Sequence, residues 1–299
     1  MTNGLVRAVA ERLSSGGFAA GWGLLRLIPE PTARQLFQAA ADLAAQRGGR
    51  GVEQLRANLD RVAPGEDLLH QAVRSYARYW VEVFRLPTLG RERLVGDTIT
   101  LGEARMRESA ASDRGTVLAL PHSGNWDAAG AWLAQSGVPF TTVAERLKPE
   151  SLYEQFVAFR ESLGMRVLPL TGGVRPPFDL LQEGLAGGGT VCLLADRDLT
   201  PRGVDVTFFG ARARMPAGPA KLALLTGADL IPTSLSFTET GWRIEFHAAV
   251  PHSDVTAMTQ QLAGAFETGI AAHPADWHML QPLWLDDLPA GDTRKVPQS

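Results

Sequence analysis

From about Asp97 onward, short β-rich runs alternate with stretches of helical apolar spacing, and this alternation limits the possible folds more than any other feature of the sequence. Strands are expected at Val117 to Leu120, Phe140 to Val143, Arg166 to Leu170, Thr190 to Ala195, Asp205 to Phe208, Leu230 to Leu235 and Trp242 to Phe246. Helical stretches at Asp127 to Gln135, Glu150 to Leu163 and Val174 to Leu185 separate the first four. Strand and helix in repetition argue for an α/β fold with a mostly parallel central sheet flanked by helices. The pair of runs around Gly241 argues for one antiparallel edge.

The first part of the chain reads differently. From Leu5 to about Leu86 the apolar spacing is helical, broken at Ser14-Ser15-Gly16-Gly17, Pro29-Glu30-Pro31, Gly48-Gly49 and Pro64-Gly65. Tyr76, Tyr79, Trp80, Val83 and Phe84 form an aromatic stripe of the kind that faces a core, and Pro87 ends it. The expected organisation is a helical N-terminal region over 1–96, an α/β core over 97–288 and a tail over 289–299.

Composition removes several classes of function. A chain of 299 residues with one cysteine, Cys192, has no intramolecular disulfide and no thiolate metal cage. A net charge of -3 and a pI near 6.1 give no global attraction for nucleic acid, so no nucleic-acid partner is expected. Of the 29 basic residues, Lys148, Lys221 and Lys295 are the lysines, which leaves 29 - 3 = 26 arginines. That skew suits phosphate recognition, but codon usage is the favoured explanation, since Ala, Gly and Arg are abundant together. No apolar run reaches the roughly 18 residues of a membrane-spanning helix. The stretch from Gly17 to Ile28 could lie on a bilayer, with Phe18 and Trp22 inserted and Arg26 near anionic headgroups, or could pack as a core helix.

In an open α/β sheet, ligands collect beyond the carboxyl ends of the strands. Four such ends deliver polar groups toward one rim: Pro121 to Asp127, Glu145-Arg146, Thr171-Gly172-Gly173 and Asp196-Arg197-Asp198. Solvated loop residues would explain any single end; their joint placement favours a site. His122 in the loop and Asp127 in the opening turn of the next helix are expected to touch. The carboxylate would hold one imidazole nitrogen protonated while the other takes a proton from a hydroxyl, which makes a general base. The competing reading has Asp127 capping its helix and His122 packing.

No serine sits in G-x-S-x-G, no histidine is followed by glutamate and no lysine follows glycine. A nucleophile elbow, an H-E-x-x-H zinc site and a Walker loop are therefore excluded, and no metal is expected. Ser123 is a poor nucleophile candidate, because adjacent side chains diverge at a loop–helix junction. A base without a protein nucleophile suits direct attack by a substrate hydroxyl on an activated acyl group.

The residues that carry this chemistry also carry a resemblance. His122-Ser123-Gly124-Asn125-Trp126-Asp127 resembles the H-x-x-x-x-D block of glycerolipid acyltransferases, and Asp196-Arg197-Asp198 the second block of their late lipid A acyltransferase branch. Leu230-Ile231-Pro232-Thr233 is similar to that superfamily's last block. The runs Ala119 to Asp127, Thr142 to Tyr153, Met215 to Lys221 and Ala275 to Pro282 resemble the phosphatidylinositol mannoside acyltransferases, over a similarity reaching from about Arg56 to Leu285.

The resemblance implies transfer of a fatty acyl chain, typically palmitoyl, from acyl-CoA to the 6-hydroxyl of the mannose at inositol position 2 of a phosphatidylinositol mannoside. It implies acyl-CoA as co-substrate with no cofactor, and peripheral attachment to an anionic membrane surface, on the cytoplasmic face of the plasma membrane. His122 would be the base, Asp127 would hold its ring, and loop amides would stabilise the thioester oxyanion. Glu145 and Asp196 would shape the acceptor and catalytic pocket, with Arg197 binding substrate, while Arg160 and Arg202 would contact acyl-CoA. The Glu-Gly-Thr-Arg block of glycerol-phosphate acylating relatives has no counterpart, and Asp196 stands where the resembled family carries glutamate. Another glycolipid or a lysophospholipid as acceptor, and a lipid-binding protein without turnover, are the alternatives.

Overall fold

The computed structural model describes residues 27–198 and 203–288. Phe18, Trp22 and Arg26, Arg202, and the expected tail over 289–299 lie outside the described residues. Among those described, helices α1 (Glu30–Arg47), α2 (Arg50–Val62), α3 (Leu69–Arg85) and α4 (Arg91–Gly96) precede the first strand. Their boundaries follow the breaks read from the sequence, and the turn Leu86–Thr88 closes α3 at the expected proline. No helix among the described residues is long and apolar enough to cross a membrane.

The strands are β1 (Thr98–Leu101), β2 (Thr116–Leu120), β3 (Phe140–Ala144), β4 (Arg166–Pro169), β5 (Thr190–Leu194), β6 (Val204–Phe208), β7 (Ala211–Met215), β8 (Asp229–Phe237) and β9 (Trp242–Phe246). Seven of them form one sheet in the order β1-β9-β8-β2-β5-β3-β4, and β6 and β7 form a separate antiparallel hairpin. Within the sheet only β8 and β9 run antiparallel. That pair surrounds Gly241 as expected, but it is not the edge, because β1 adds itself in parallel outside β9. The sequence reading missed β1, a four-residue strand with Ile99 and Leu101 exposed, so no burial pattern announces it. It also missed β7, whose alternating arginines show no apolar pattern; in the structure Asp205 of β6 pairs with Arg212 and Arg214.

Helices α5 (Glu103–Ala110), α6 (Trp126–Gln135), α7 (Glu150–Ser162), α8 (Pro177–Ala186), α9 (Gly218–Thr226) and α10 (Val255–Ala272) cover the two faces. The start of α8 is three residues later than expected, since the residue before a proline avoids the helical region and Pro176-Pro177 is the first place a helix can begin. Side chains of a strand alternate between faces, and β2 shows it. Val117 and Ala119 enter a core with α2, α8, α9 and α10; Leu118 enters the opposite one with α3, α6 and α7. A strand buried on both sides is the interior position of a parallel sheet, which puts the loop after β2 at the middle of the carboxyl rim.

Candidate active site

The loop from Pro121 to Asn125 links β2 to α6, and His122, Gly124 and Asn125 are each fixed from outside it. Gly124 has φ of 55°, and a Cβ there would lie 3.0 Å from the Leu235 carbonyl carbon and the Ser236 nitrogen of β8. Only glycine allows both the left-handed turn and the close approach. Asn125 caps α6 by accepting from the Ala128 N–H at 2.9 Å, and its amide donates to buried Glu82 of α3 at 2.9 Å. The Gly124 N–H donates to the Asp276 carbonyl and the His278 N–H to the His122 carbonyl, each at 2.8 Å. The C-terminal segment therefore lies against the loop like a short extra strand, with a β-bridge between Ser123 and Trp277.

His122 does not meet Asp127. Its Nδ1 lies 2.6 Å from Asp196 Oδ1 at the end of β5, and its backbone N–H donates to Asp196 Oδ2 at 2.9 Å. The Trp277 indole N–H donates to the same Oδ2 at 3.0 Å. Asp196 is wholly buried, and burial pushes its carboxyl up; the His122 ring, the Trp277 indole and the His122 N–H together outweigh this and hold it below the usual range. An ionised carboxylate can only accept, so His122 donates from Nδ1, and Nε2 is the ring nitrogen left to exchange a proton with a substrate. No described residue bonds to that Nε2, and the side chain is 21% exposed.

The reason for the changed partner is geometric. Asp127 sits in the first turn of α6 and points inward between α3 and α7, while the turn at Gly124 swings His122 toward β5. The Asp127 carboxylate accepts from the Tyr79 hydroxyl at 2.8 Å and from Arg160 Nε and Nη2 at 2.7 and 3.3 Å. The expected cap role is also unfilled, because Asn125 does that work. Arg160, expected on the resemblance to reach acyl-CoA, turns inward onto Asp127; burial lowers its basicity, and the Asp127 charge more than offsets this. Tyr79 was legible as one of a core-facing stripe, and it packs there with its ring centroid 4.1 Å from that of Trp126. Burial first, then the Asp127 charge, raise its hydroxyl well above the ordinary range, which keeps it a donor.

Beside this cluster, between α6 and the sheet, runs a narrow, mostly apolar cavity of about 60 Å³. Trp126, Leu120, Asp127 and Arg160 line it at the carboxyl rim, and Phe140 and Met165 line it toward the other end of the strands. Trp126 joins the cavity to the base, its ring 5.6 Å from that of His122 and edge-on. Gly130 keeps the cavity open midway along α6, since a Cβ there would meet Met165 Cε at 2.8 Å and Phe140 Cζ at 3.2 Å. Cys192 also lines the wall, and burial raises its thiol so far that it is no nucleophile.

On the solvent side, Arg197 donates to Gln281 Oε1 at 2.5 Å and to Glu145 Oε2 at 3.2 Å. The structure thus brings Glu145 and Arg197 together at the rim and adds Gln281, which lies in the resembling run Ala275 to Pro282 but was not among the expected site residues. The loop amides expected to stabilise an oxyanion are already occupied at three positions: His122 N–H by Asp196, Ser123 N–H by the Pro121 carbonyl and Gly124 N–H by Asp276. No group of three or more metal-ligating side chains forms among the described residues.

Residues 14–286 match the model of a family described as bacterial lipid A biosynthesis acyltransferase. The chain belongs to that family. It is 54% identical over 280 residues to a phosphatidylinositol mannoside acyltransferase of Mycolicibacterium smegmatis, covering 91% of each chain. A protein of the same name from Mycobacterium tuberculosis is 51% identical over 291 residues, covering 94% of this chain and 92% of the relative. Among solved structures, the 1-acyl-sn-glycerophosphate (LPA) acyltransferase PlsC of Thermotoga maritima aligns with a TM-score of 0.39 and 16% identity, over 80% of this chain and 99% of that one. The protein is an acyltransferase.

Proposed function

We propose that this acyltransferase moves a fatty acyl group, palmitoyl in particular, from acyl-CoA to the 6-hydroxyl of the mannose at inositol position 2 of a phosphatidylinositol mannoside. The single observation that carries the mechanism is the 2.6 Å contact between His122 Nδ1 and buried Asp196, with no described residue bonded to Nε2. The acceptor is taken from the relatives that share about half of their residues with this chain over nine-tenths of its length.

In this mechanism the mannose hydroxyl gives its proton to His122 Nε2 as its oxygen attacks the thioester carbonyl carbon. The Asp196 carboxylate stabilises the imidazolium that forms. The tetrahedral intermediate collapses by breaking the C–S bond; the proton passes from Nε2 to the departing CoA thiolate, and ester and free CoA remain. The reaction balances with acyl-CoA as co-substrate and nothing further. The acyl tail occupies the cavity under α6, with the thioester near Trp126, and the first-turn N–H groups of α6 supply positive potential toward the oxyanion. Asp127 shapes the cavity wall through Tyr79 and Arg160 and does not touch the imidazole. Glu145, Arg197 and Gln281 at the rim receive the polyhydroxyl headgroup, and Arg202 the CoA phosphates. A lipid acceptor and a water-soluble donor meet at a membrane surface, which places the enzyme as a peripheral protein on the cytoplasmic face, held there by the N-terminal region and anionic lipid.

The test is His122→Ala with palmitoyl-CoA and a phosphatidylinositol mannoside, following free thiol and the acylated lipid together. A loss of at least about 10²-fold in kcat is expected, the low end for removal of a general base. Activity retained by that variant would refute the mechanism, and acylation of a lysophospholipid in preference to the mannoside would refute the acceptor.

A further inference from the structure

Asp196 is held by three donors, and two of them belong to His122 itself. A carboxylate anchored only through the residue it must orient could turn with it, because the last torsion of an aspartate is broad. The third donor comes from elsewhere in the chain. Trp277 follows the turn Pro274–Asp276, is wholly buried, and packs edge-on against Phe208 and Trp284 with centroids 6.1 and 6.0 Å away. Its indole N–H is therefore fixed in direction by the core before it meets Asp196 Oδ2. The same segment grips the loop through the Asp276 carbonyl and the His278 N–H, so one short piece of chain sets both members of the pair.

We propose that Trp277 is a positioning residue for the acyl transfer: its indole N–H fixes the plane of the Asp196 carboxylate against the His122 imidazole. This rests on the general-base reading above. With the N–H gone, Oδ2 keeps one donor, the carboxylate becomes a stronger acceptor toward the imidazolium, and its plane is set by His122 alone. Turnover falls, and the acid limb of the rate profile moves to higher pH because His122 holds its proton more firmly. Other charged or titratable groups around the pair include His278 and Asp276 on the same segment, Arg197 with Glu145 at the rim, buried Asp198 two residues beyond Asp196, and Asp127 with Arg160 and Tyr79 behind Trp126. None of them touches the Trp277 indole nitrogen, so their contribution is common to all the variants compared.

The experiment uses the full chain, palmitoyl-CoA and a phosphatidylinositol mannoside, with kcat, KM and the pH profile measured per folded molecule. Trp277→Phe and β-(3-benzothienyl)alanine at 277, which keeps the ring shape and replaces N–H by sulfur, are each compared with the parent. Both are expected to lower kcat about tenfold, the size of one hydrogen bond to a charged group, with KM for palmitoyl-CoA unchanged. The acid limb is expected to rise by about half to one pH unit in both. If Trp277→Phe does not fold, the isosteric analogue is read alone. A benzothienylalanine variant with the kcat and acid limb of the parent overturns the proposal. His122→Ala and Asp196→Asn run in parallel; full activity in those overturns the general-base reading instead, so the two failures are told apart.

Discussion

Replacing Asp127 by asparagine separates a carboxylate that serves the imidazole from one that serves the fold. In the structure its oxygens take the Tyr79 hydroxyl and two nitrogens of Arg160, and the residue is 1% exposed. Asp127→Asn keeps the volume and leaves Arg160 as a buried cation without its counter-charge. Breaking one side of a buried pair costs about 3–5 kcal/mol, and because the amide oxygen still accepts one bond the lower end, about 3 kcal/mol, is expected. For a chain of this size that corresponds to a fall in Tm of about 6–12 °C, read by calorimetry. Adding Arg160→Met removes the stranded charge and should restore a large part of the loss. Measured per folded molecule, kcat should drop by less than about tenfold, and the acid limb of the pH profile should stay where it is, because His122 keeps Asp196. An Asp127→Asn protein as stable as the parent but as inactive as His122→Ala would refute the reasoning and return the carboxylate to the imidazole.

Two further outcomes follow from the same coordinates. His278 is held neutral, its ordinary value lowered to about 3 by burial and by the neighbouring His122. Above about pH 6.5 both folded and unfolded chains carry it uncharged; between there and about 3 only the unfolded chain takes the proton, so stability is lost as pH falls, by up to about 2 kcal/mol at pH 5. Urea unfolding from pH 7 to 5 should show a shallower pH slope for His278→Gln than for the parent, and equal slopes would count against it. Gly130→Ala places a methyl group where Met165 and Phe140 close the cavity. Rates with a series of acyl-CoA chain lengths should shift toward shorter chains, with the short-chain rate preserved; an unchanged profile would mean that the tail lies elsewhere.

The short β-rich runs in β2, β3 and β5 and the breaks between α1, α2 and α3 were readable because each depends on a few neighbouring residues. The carboxyl rim was equally legible, since parallel strands joined by helices must bring His122, Glu145 and Asp196 to the same side. The edge strand β1 was not, because its partner β9 lies far along the chain; the hairpin strand β7 pairs with its neighbour β6, but its arginines carry no apolar pattern that marks a strand. Within the site, His122 was identifiable from its place in a strand–loop–helix junction, and proximity in sequence then suggested Asp127 as its companion. That step failed for a physical reason: five residues that include a left-handed glycine and a helix start can point two side chains apart as easily as together. Sequence by itself determined the layered α/β frame and the rim on which the chemistry stands. The tertiary structure alone decided which carboxylate reaches the imidazole, because Asp196 arrives on a neighbouring strand and Trp277 from the end of the chain, and their direction is set by the packing that buries them.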